Sequence, residues 1–228
     1  MRPVDKGDSP GTFTDYSQAL PHLEDRLDIY CSYCERRMPT SLAVEHIAPK
    51  SHHPNLLLEW DNFLLACTNC NSVKSDKDIP RQQILWTDED NTFLAINYSK
   101  GGFVRIDKGL NTNLQSRASE LIKLVGLNRH KARNWPKPSK RDNRWKQRDE
   151  VWEIAEEAKK DFIDAGQTDI GAKCVIRAAL GYGFFSVWMT IFEQYEEIRK
   201  RLISSFKGTA KDCFDSNGAV IKRPGGVI

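Results

Sequence analysis

The sequence contains two Cys-x-x-Cys pairs, whose spacing suits the binding of a metal ion. Cys31 and Cys34 form one pair, and Cys67 and Cys70 form the other. Two such pairs can bring four thiolates to one metal ion, which is the usual ligand set of a structural tetrahedral zinc site. The spacing therefore predicts a zinc ion that closes the 32-residue loop between Cys34 and Cys67. A redox-active dithiol is the alternative interpretation.

The loop between the two pairs carries side chains suited to metal-dependent cleavage of a phosphodiester. Such a reaction needs a base that activates water and a cation that stabilises the developing negative charge. His46 is the candidate base, because an imidazole titrates near neutral pH. Asn71 directly follows the last cysteine and can present its carbonyl oxygen to a hard cation such as magnesium. The alternative for His46 is a hydrogen-bonded core histidine without a catalytic role.

Three further side chains complete the candidate site. Glu45 precedes His46 and would project to the opposite face of a regular strand, so a shared site requires a twist or bulge there. Lys74 lies three residues beyond Asn71 on the same helical face, where its ammonium could meet a substrate phosphate. Lys50 could also contact a phosphate, although a lysine in a loop is equally often only solvated.

Periodicity and turn residues predict the elements that must position these side chains. The first half should contain a helix over 16–30, a strand over 42–47, a turn or second strand over 60–65 and a helix over 69–78. A β-hairpin should pair residues 93–98 with 103–106 across a glycine-containing turn. The remaining helices are expected over 114–127, 151–166 and 184–206.

The charge of the chain is concentrated in one segment. The formal net charge is only +3, but residues 129–148 contain nine Lys or Arg and one acid, which gives this segment +8 and the rest −5. A local basic segment is expected where a protein contacts a phosphate backbone. Trp135 and Trp145 lie within it and could stack on bases. A charged linker between two helices explains the composition equally well.

Neither composition nor the remaining cysteines point to a membrane or secreted protein. The sequence has no apolar stretch long enough for a membrane helix and no apolar signal segment at its start, so a cytoplasmic location is the default expectation. The cysteines have metal-ligand spacing rather than a disulfide framework. Cys174 and Cys213 are expected to be free thiols that pack as small hydrophobic residues.

These motifs together resemble the HNH nuclease superfamily, whose ββα-metal fold places the base on the first strand. The resemblance implies that Glu45 and Asn71 are metal ligands, His46 is the general base and Asn62 braces the loop between the strands. The third position of the family motif is Asn71 rather than histidine, which favours magnesium or manganese as the catalytic ion.

A narrower resemblance rests on residues 30–35, 44–51 and 60–72. These stretches look like the HNH subunit of Septu-type and retron-associated anti-phage defence systems, in which an ABC-class ATPase gates the nuclease. The implied activity is hydrolysis of DNA or RNA. The alternative is a zinc-stabilised module that binds nucleic acid or the ATPase without catalysis. The amphipathic helices over 151–162 and 184–206 are the candidate docking faces for the ATPase, although self-association would produce the same pattern. For 184–206, a stripe that packs in the core of this chain is the preferred interpretation.

The predicted fold class is α+β, with a ββα-metal core and its four-cysteine zinc site followed by a mainly α-helical C-terminal region. We expect six segments along the chain. They are an N-terminal helical segment packing on the core (1–30), the nuclease domain (31–80), a hairpin and helix extension (81–128), a basic linker (129–148), a helical region (149–206) and a loosely docked tail (207–228).

Overall fold

A two-stranded antiparallel hairpin carries the loop between the two cysteine pairs. In the computed structural model, which describes residues 1–228, β1 is Leu42–His46 and β2 is Phe63–Cys67. The strands pair one-to-one along their whole length, so of the twist or bulge expected at Glu45 and His46 the bulge is absent. No bulge is needed, because a cleft runs along the free edge of β1 and side chains from both faces of the strand line it.

Helices cover this hairpin. α1, Ala19–Leu27, buries Ala19, Leu23 and Leu27 at a spacing of four and packs on both strands. α2, Thr68–Lys74, begins directly after β2 and packs back on the hairpin. Every residue of β2 is buried, since it lies under these elements. The chain order is therefore strand, strand, helix, as predicted for the core.

A second hairpin follows the core. A short helix, α3, Thr92–Ala95, leads into β3, Ile96–Ser99, and β4, Phe103–Ile106, pairs with β3. Asn91 caps α3 by accepting from the Phe93 amide at 3.2 Å, so Phe93 lies in a helical turn rather than in the predicted strand. α4, Thr112–Leu124, packs on α3 and β4.

The C-terminal region is helical, which confirms that part of the predicted fold class. It contains α5, Arg144–Asp164, α6, Asp169–Tyr182, α7, Phe185–Ile191, and α8, Glu196–Ser205. α5 packs on α6 and α7, and α6 packs on α8. α5 begins inside the segment predicted as a basic linker. None of these helices combines the length and apolar character needed to cross a bilayer.

The prediction of a single long helix over 184–206 is wrong. α7 ends at Ile191, and the chain turns before α8 begins at Glu196. The Arg199 guanidinium donates to the Glu193 carbonyl in this turn, which satisfies an acceptor that the break leaves without a helical partner. The turn also places Tyr195 edge-on against Phe162 of α5, with ring centroids 5.7 Å apart.

The predicted docking faces of the helices are internal. Val151, Ala155 and Phe162 of α5 and Ile198 and Leu202 of α8 are buried in the hydrophobic core of this chain. Their apolar spacing therefore reflects packing between the helices themselves, and these faces are not available to a partner.

The expectation of a loosely docked tail is also wrong. Cys213, Phe214 and Ile228 are buried. The Asn91 side chain donates to the carbonyls of Cys213, at 2.9 Å, and Ile221, at 2.6 Å. Because Asn91 also caps α3, one buried amide fixes the tail to the second hairpin.

Candidate functional site

The four cysteines of the two pairs form one buried cluster. Their sulfur atoms all lie within 4.8 Å of one another, and none of the four residues is exposed to solvent. The Cys34 and Cys67 sulfurs are 3.6 Å apart. Zinc–sulfur bonds of about 2.3 Å in a tetrahedron separate the sulfurs by about 3.8 Å. The cluster therefore fits a tetrahedral metal ion of the zinc type.

Local backbone structure builds the two halves of the cluster. The first pair lies in a tight turn closed by the Glu35 amide, which donates to the Cys31 carbonyl at 2.9 Å. The Ser32 amide donates to the Leu65 carbonyl at 2.8 Å and so holds this turn on the outer edge of β2. Cys67 ends β2, and Cys70 lies in α2. The hairpin, the turn and α2 thus converge on the cluster.

Two arginines that the sequence analysis did not identify contact the sulfurs. Arg36 donates to the Cys67 sulfur, and Arg144 of α5 donates to the Cys70 sulfur, both at 3.2 Å. Hydrogen bonds from Cys31 and from the other two thiols, together with the Arg36 charge, lower the pKa of Cys67 far below its usual range. Four thiolates around a divalent zinc carry a net charge of −2, which these two guanidiniums offset.

A cleft of about 430 Å³ brings together most of the predicted catalytic residues. It runs along the free edge of β1, between α1 and the end of α2. Glu45, His46, Lys50 and Asn71 line it. Asn62 and Lys74 do not, and each instead supports residues that do.

His46 is held as a neutral imidazole with a defined orientation. Its Nε2 lies 3.0 Å from the Leu57 carbonyl oxygen. Because a carbonyl can only accept, Nε2 carries the proton and Nδ1 keeps the lone pair. Burial, opposed by the Leu57 carbonyl and assisted by the Lys50 and Lys74 charges, lowers the pKa of His46 below 6.5. A neutral histidine with a free ring nitrogen can accept a proton from water.

Asn62 fixes the loop that holds His46. Its carbonyl oxygen accepts from the Ala48 amide at 2.7 Å, and its amide nitrogen donates to the Ala48 and Leu56 carbonyls at 3.0 and 3.1 Å. The side chain is 3% exposed. Since Leu57 follows Leu56, Asn62 also sets the position of the carbonyl that orients His46.

Lys74 does not occupy the position expected of it. It is 1% exposed, and its Nζ lies 2.7 Å from the Glu45 Oε1 and donates to the His46 carbonyl at 2.6 Å. The prediction correctly placed Lys74 near the site but oriented it toward substrate. Instead, the side of α2 that carries Lys74 packs toward β1, and the Lys74 ammonium neutralises the buried Glu45 carboxylate. Burial raises the pKa of Glu45, and the Lys74 charge opposes that rise.

Lys50 and Tyr16 form the outer wall of the cleft. The exposed Lys50 Nζ donates to the Tyr16 hydroxyl at 3.0 Å and lies 4.1 Å from the centre of its ring. The Tyr16 ring meets the His46 ring edge-on, with centroids 5.1 Å apart. Sequence reasoning missed Tyr16, because no motif or spacing connects it to a histidine thirty residues further along the chain.

Comparison with known proteins agrees with this geometry. Residues 31–77 match the family model described as HNH endonuclease. The Septu protein PtuB of Bacillus thuringiensis is 38% identical over 58 residues, which are 24% of this chain and 23% of that protein. The chain thus matches less than a quarter of the length of this relative. The chain contains an HNH endonuclease domain at residues 31–77, and the resemblance seen in the sequence is confirmed for this region.

We predict that Arg144→Gln weakens zinc binding without unfolding the protein. Removing a group that contacts a ligating atom typically costs about 10- to 100-fold in metal affinity. Competition with a chromophoric chelator measures the zinc affinity. Arg148→Gln is the matched control, because Arg148 is equally buried but donates only to the Gly102 and Leu127 carbonyls. Equal affinities in the two variants would show that the sulfur contact has no such role.

We predict that Asn62→Ala lowers the free energy of unfolding by about 2–3 kcal/mol, because it leaves buried backbone groups at Ala48 and Leu56 unpaired. Chemical denaturation measures this loss. Asn55→Ala, an exposed position in the same loop, should change stability by less than about 0.5 kcal/mol. A small effect of Asn62→Ala would mean that the loop is held by other contacts.

Proposed function

We propose that this protein is a metal-dependent endonuclease that hydrolyses phosphodiester bonds of DNA or RNA as the nuclease of an anti-phage defence complex. The observation that supports the proposal is the neutral, oriented imidazole of His46, which shares one cleft with Glu45 and Asn71. The HNH domain and its similarity to a Septu protein support a nuclease in a defence system.

In the proposed mechanism His46 is the general base. The Leu57 carbonyl fixes Nε2 as the protonated nitrogen, so Nδ1 takes the proton from the attacking water. The positive charge that forms on the ring is stabilised by that carbonyl, which strengthens its hydrogen bond as the imidazole becomes charged. Tyr16 and Phe63 pack edge-on against the ring and prevent it from rotating.

Glu45 and Asn71 are the residues that would hold a catalytic Mg²⁺ or Mn²⁺. Carboxylate and amide oxygens are the ligands that such hard cations prefer. When bound, the cation stabilises negative charge on the phosphate and on the leaving oxygen. The four-cysteine cluster would hold a structural Zn²⁺ through Cys31, Cys34, Cys67 and Cys70, which keeps the two metals in sites of different chemistry.

Lys74 keeps Glu45 ionised before the catalytic cation binds. A carboxylate this deeply buried would otherwise take up a proton, because burial disfavours its charged form. The Lys74 ammonium at 2.7 Å supplies the compensating charge. The Glu45 oxygens therefore remain available to a divalent cation at neutral pH.

An ABC-class ATPase is the proposed partner, and the cytoplasm is the proposed location. Similarity of the HNH domain to a Septu protein supports membership of a defence complex, and the ATPase follows from the resemblance to that family. If the protein cleaves no nucleic acid in any condition, a zinc-stabilised binding module without catalysis is the alternative function.

We predict that His46→Ala lowers the rate of Mn²⁺- or Mg²⁺-dependent nucleic acid cleavage by about 10²- to 10⁴-fold, the usual contribution of a general base. The assay uses a panel of DNA and RNA substrates, with and without the proposed ABC-class ATPase partner. His53→Ala is the matched control, since His53 is a partly exposed histidine paired with Asp78. Unchanged cleavage by His46→Ala would exclude it as the base.

The pH dependence of the wild-type rate provides a second readout of the same residue. A general base acts when deprotonated, so the rate rises with pH through the pKa of His46 and then levels off. Because burial lowers that pKa below 6.5, the acidic limb should lie below pH 6.5.

We predict that Lys74→Met destabilises the zinc-loaded protein by about 3–5 kcal/mol in the absence of the catalytic cation, because the buried Glu45 carboxylate loses its partner. If Glu45 is a cation ligand, Mn²⁺ should raise the melting temperature of Lys74→Met by more than that of wild type. Lys77→Met is the control, because Lys77 is exposed and donates only to the Val73 carbonyl. If Mn²⁺ raised the melting temperature of wild type and of Lys74→Met equally, Glu45 would be excluded as a ligand of the cation.

A further inference from the structure

The loop that joins α4 to α5 carries unpaired positive charge. We call residues 129–143 the basic loop. Lys131, Arg133, Lys140 and Arg141 are exposed there, and none of the four takes part in an ion pair. The one acid of the loop, Asp142, is buried and pairs with Arg144 and, at 4.0 Å, with Arg129. No acidic group of the chain therefore neutralises these four cations.

Some cations elsewhere in the chain have acidic partners, whereas exposed cations without one, such as Lys160, Arg177, Lys211 and Lys222, are scattered along the sequence. Lys173 and Arg201 share Asp169, at 2.6 and 2.7 Å, and Lys100 pairs with Glu156 at 2.8 Å. Clustered like charges without counter-charges repel one another and raise the local potential. Such a cluster attracts a polyanion and releases the counter-ions of the polyanion on binding.

The basic loop is a defined surface rather than a solvated linker. The His130 Nε2 donates to the Gly101 carbonyl at 2.8 Å, and its Nδ1 accepts from the Ala132 amide at 2.9 Å. The Lys137 ammonium donates to the Lys131 and Ala132 carbonyls at 3.1 and 2.7 Å. These contacts close the loop on itself and on the turn of the second hairpin, so its backbone is held in place.

The two tryptophans of this region hold the loop in place. The His130 ring lies 4.6 Å from Trp145, 4.2 Å from Phe103 and 6.3 Å from Trp135, centre to centre. Both tryptophans are half-buried, and the Trp145 Nε1 is enclosed. Their rings are therefore engaged in packing, and the surface presents cations rather than a platform for base stacking.

The basic loop is anchored beside the helix that carries Asn71. Arg144, at the end of the loop, donates to the Cys70 sulfur and to the Val125 carbonyl. A Cβ on Gly126 would lie 3.0 Å from the Val73 side chain of α2, so the chain entering the loop lies against α2. A helix with its side chains is about 10 Å across. The catalytic cleft and the start of the basic loop thus flank the same helix.

We propose that the basic loop binds the phosphate backbone of the nucleic acid that is cleaved in the cleft, without preference for base sequence. This inference rests on the proposed function and deepens it. Lys131, Arg133, Lys140 and Arg141 contact phosphates on the flank of the cleaved bond. The zinc cluster, through Arg144, fixes the distance between these contacts and the catalytic residues.

The test is a charge-reversal variant, Lys131→Glu, Arg133→Glu, Lys140→Glu and Arg141→Glu, made in the full chain loaded with zinc. His46→Ala in the same chain prevents cleavage during binding measurements. Fluorescence anisotropy measures the affinity for a labelled DNA duplex at several salt concentrations. The same measurement is made with DNA duplexes of unrelated sequence and with RNA. We expect at least a 100-fold loss of affinity for every substrate. Each lost phosphate contact should reduce the salt slope by about 0.9 for a duplex.

The matched control reverses four exposed cations elsewhere, Lys160→Glu, Arg177→Glu, Lys211→Glu and Lys222→Glu. It changes the net charge of the protein by the same amount. An equal loss of affinity in the control would show that only the net charge matters, and would overturn the proposal. Unchanged affinity in the basic-loop variant would also overturn it. Thermal unfolding verifies that both variants are folded.

Hydrolysis of bis(p-nitrophenyl) phosphate separates this proposal from the proposed function. This small diester needs the cleft but is too short to reach the basic loop. With His46 restored, the basic-loop variant should hydrolyse it at the wild-type rate while the KM for nucleic acid rises. If wild type hydrolyses neither substrate, the nuclease proposal fails, whereas the binding result still decides the role of the basic loop.

Discussion

The fold depends on compensating the charge of four buried sulfurs. Four cysteines within 4.8 Å of one another in a dry interior cannot all ionise unless cations balance them. A divalent metal would supply part of that charge, and Arg36 and Arg144 supply the remainder at 3.2 Å from two of the sulfurs. Arg144 belongs to α5, so the same charge balance that closes the loop between the cysteine pairs also attaches the helical region to the HNH domain.

The candidate catalytic geometry depends on a second set of buried polar contacts. Asn62 holds Ala48 and Leu56, the neighbouring Leu57 carbonyl orients His46, and Lys74 pairs with Glu45. Each of these groups acts on another residue of the site, so the site is preorganised by the loop and by α2. The four-cysteine cluster sets the start of α2 and thereby the position of Asn71.

Local spacing made part of this structure predictable, whereas packing decided the rest. The cysteine pairs, the hairpin and α2 follow from ligand spacing and from patterns a few residues long. The break between α7 and α8 does not, because Phe184, Trp188, Ile191, Tyr195 and Ile198 keep a helical spacing straight across it. Likewise, counting charges treats Arg144 and Arg148 as part of a basic surface, yet both are buried and donate to internal acceptors.

Three groups of cations in this chain have roles that burial separates. Arginine suits the sulfur cluster, because a guanidinium stays charged when buried and offers several donors, so Arg144 reaches Cys70, two carbonyls and Asp142 at once. Lysine suits Glu45, because a single ammonium neutralises the carboxylate yet leaves its second oxygen for another cation. The exposed cations of the basic loop have no internal acceptor. Since the first two groups hold the cleft and the loop in fixed positions, the third is free to meet a polyanion.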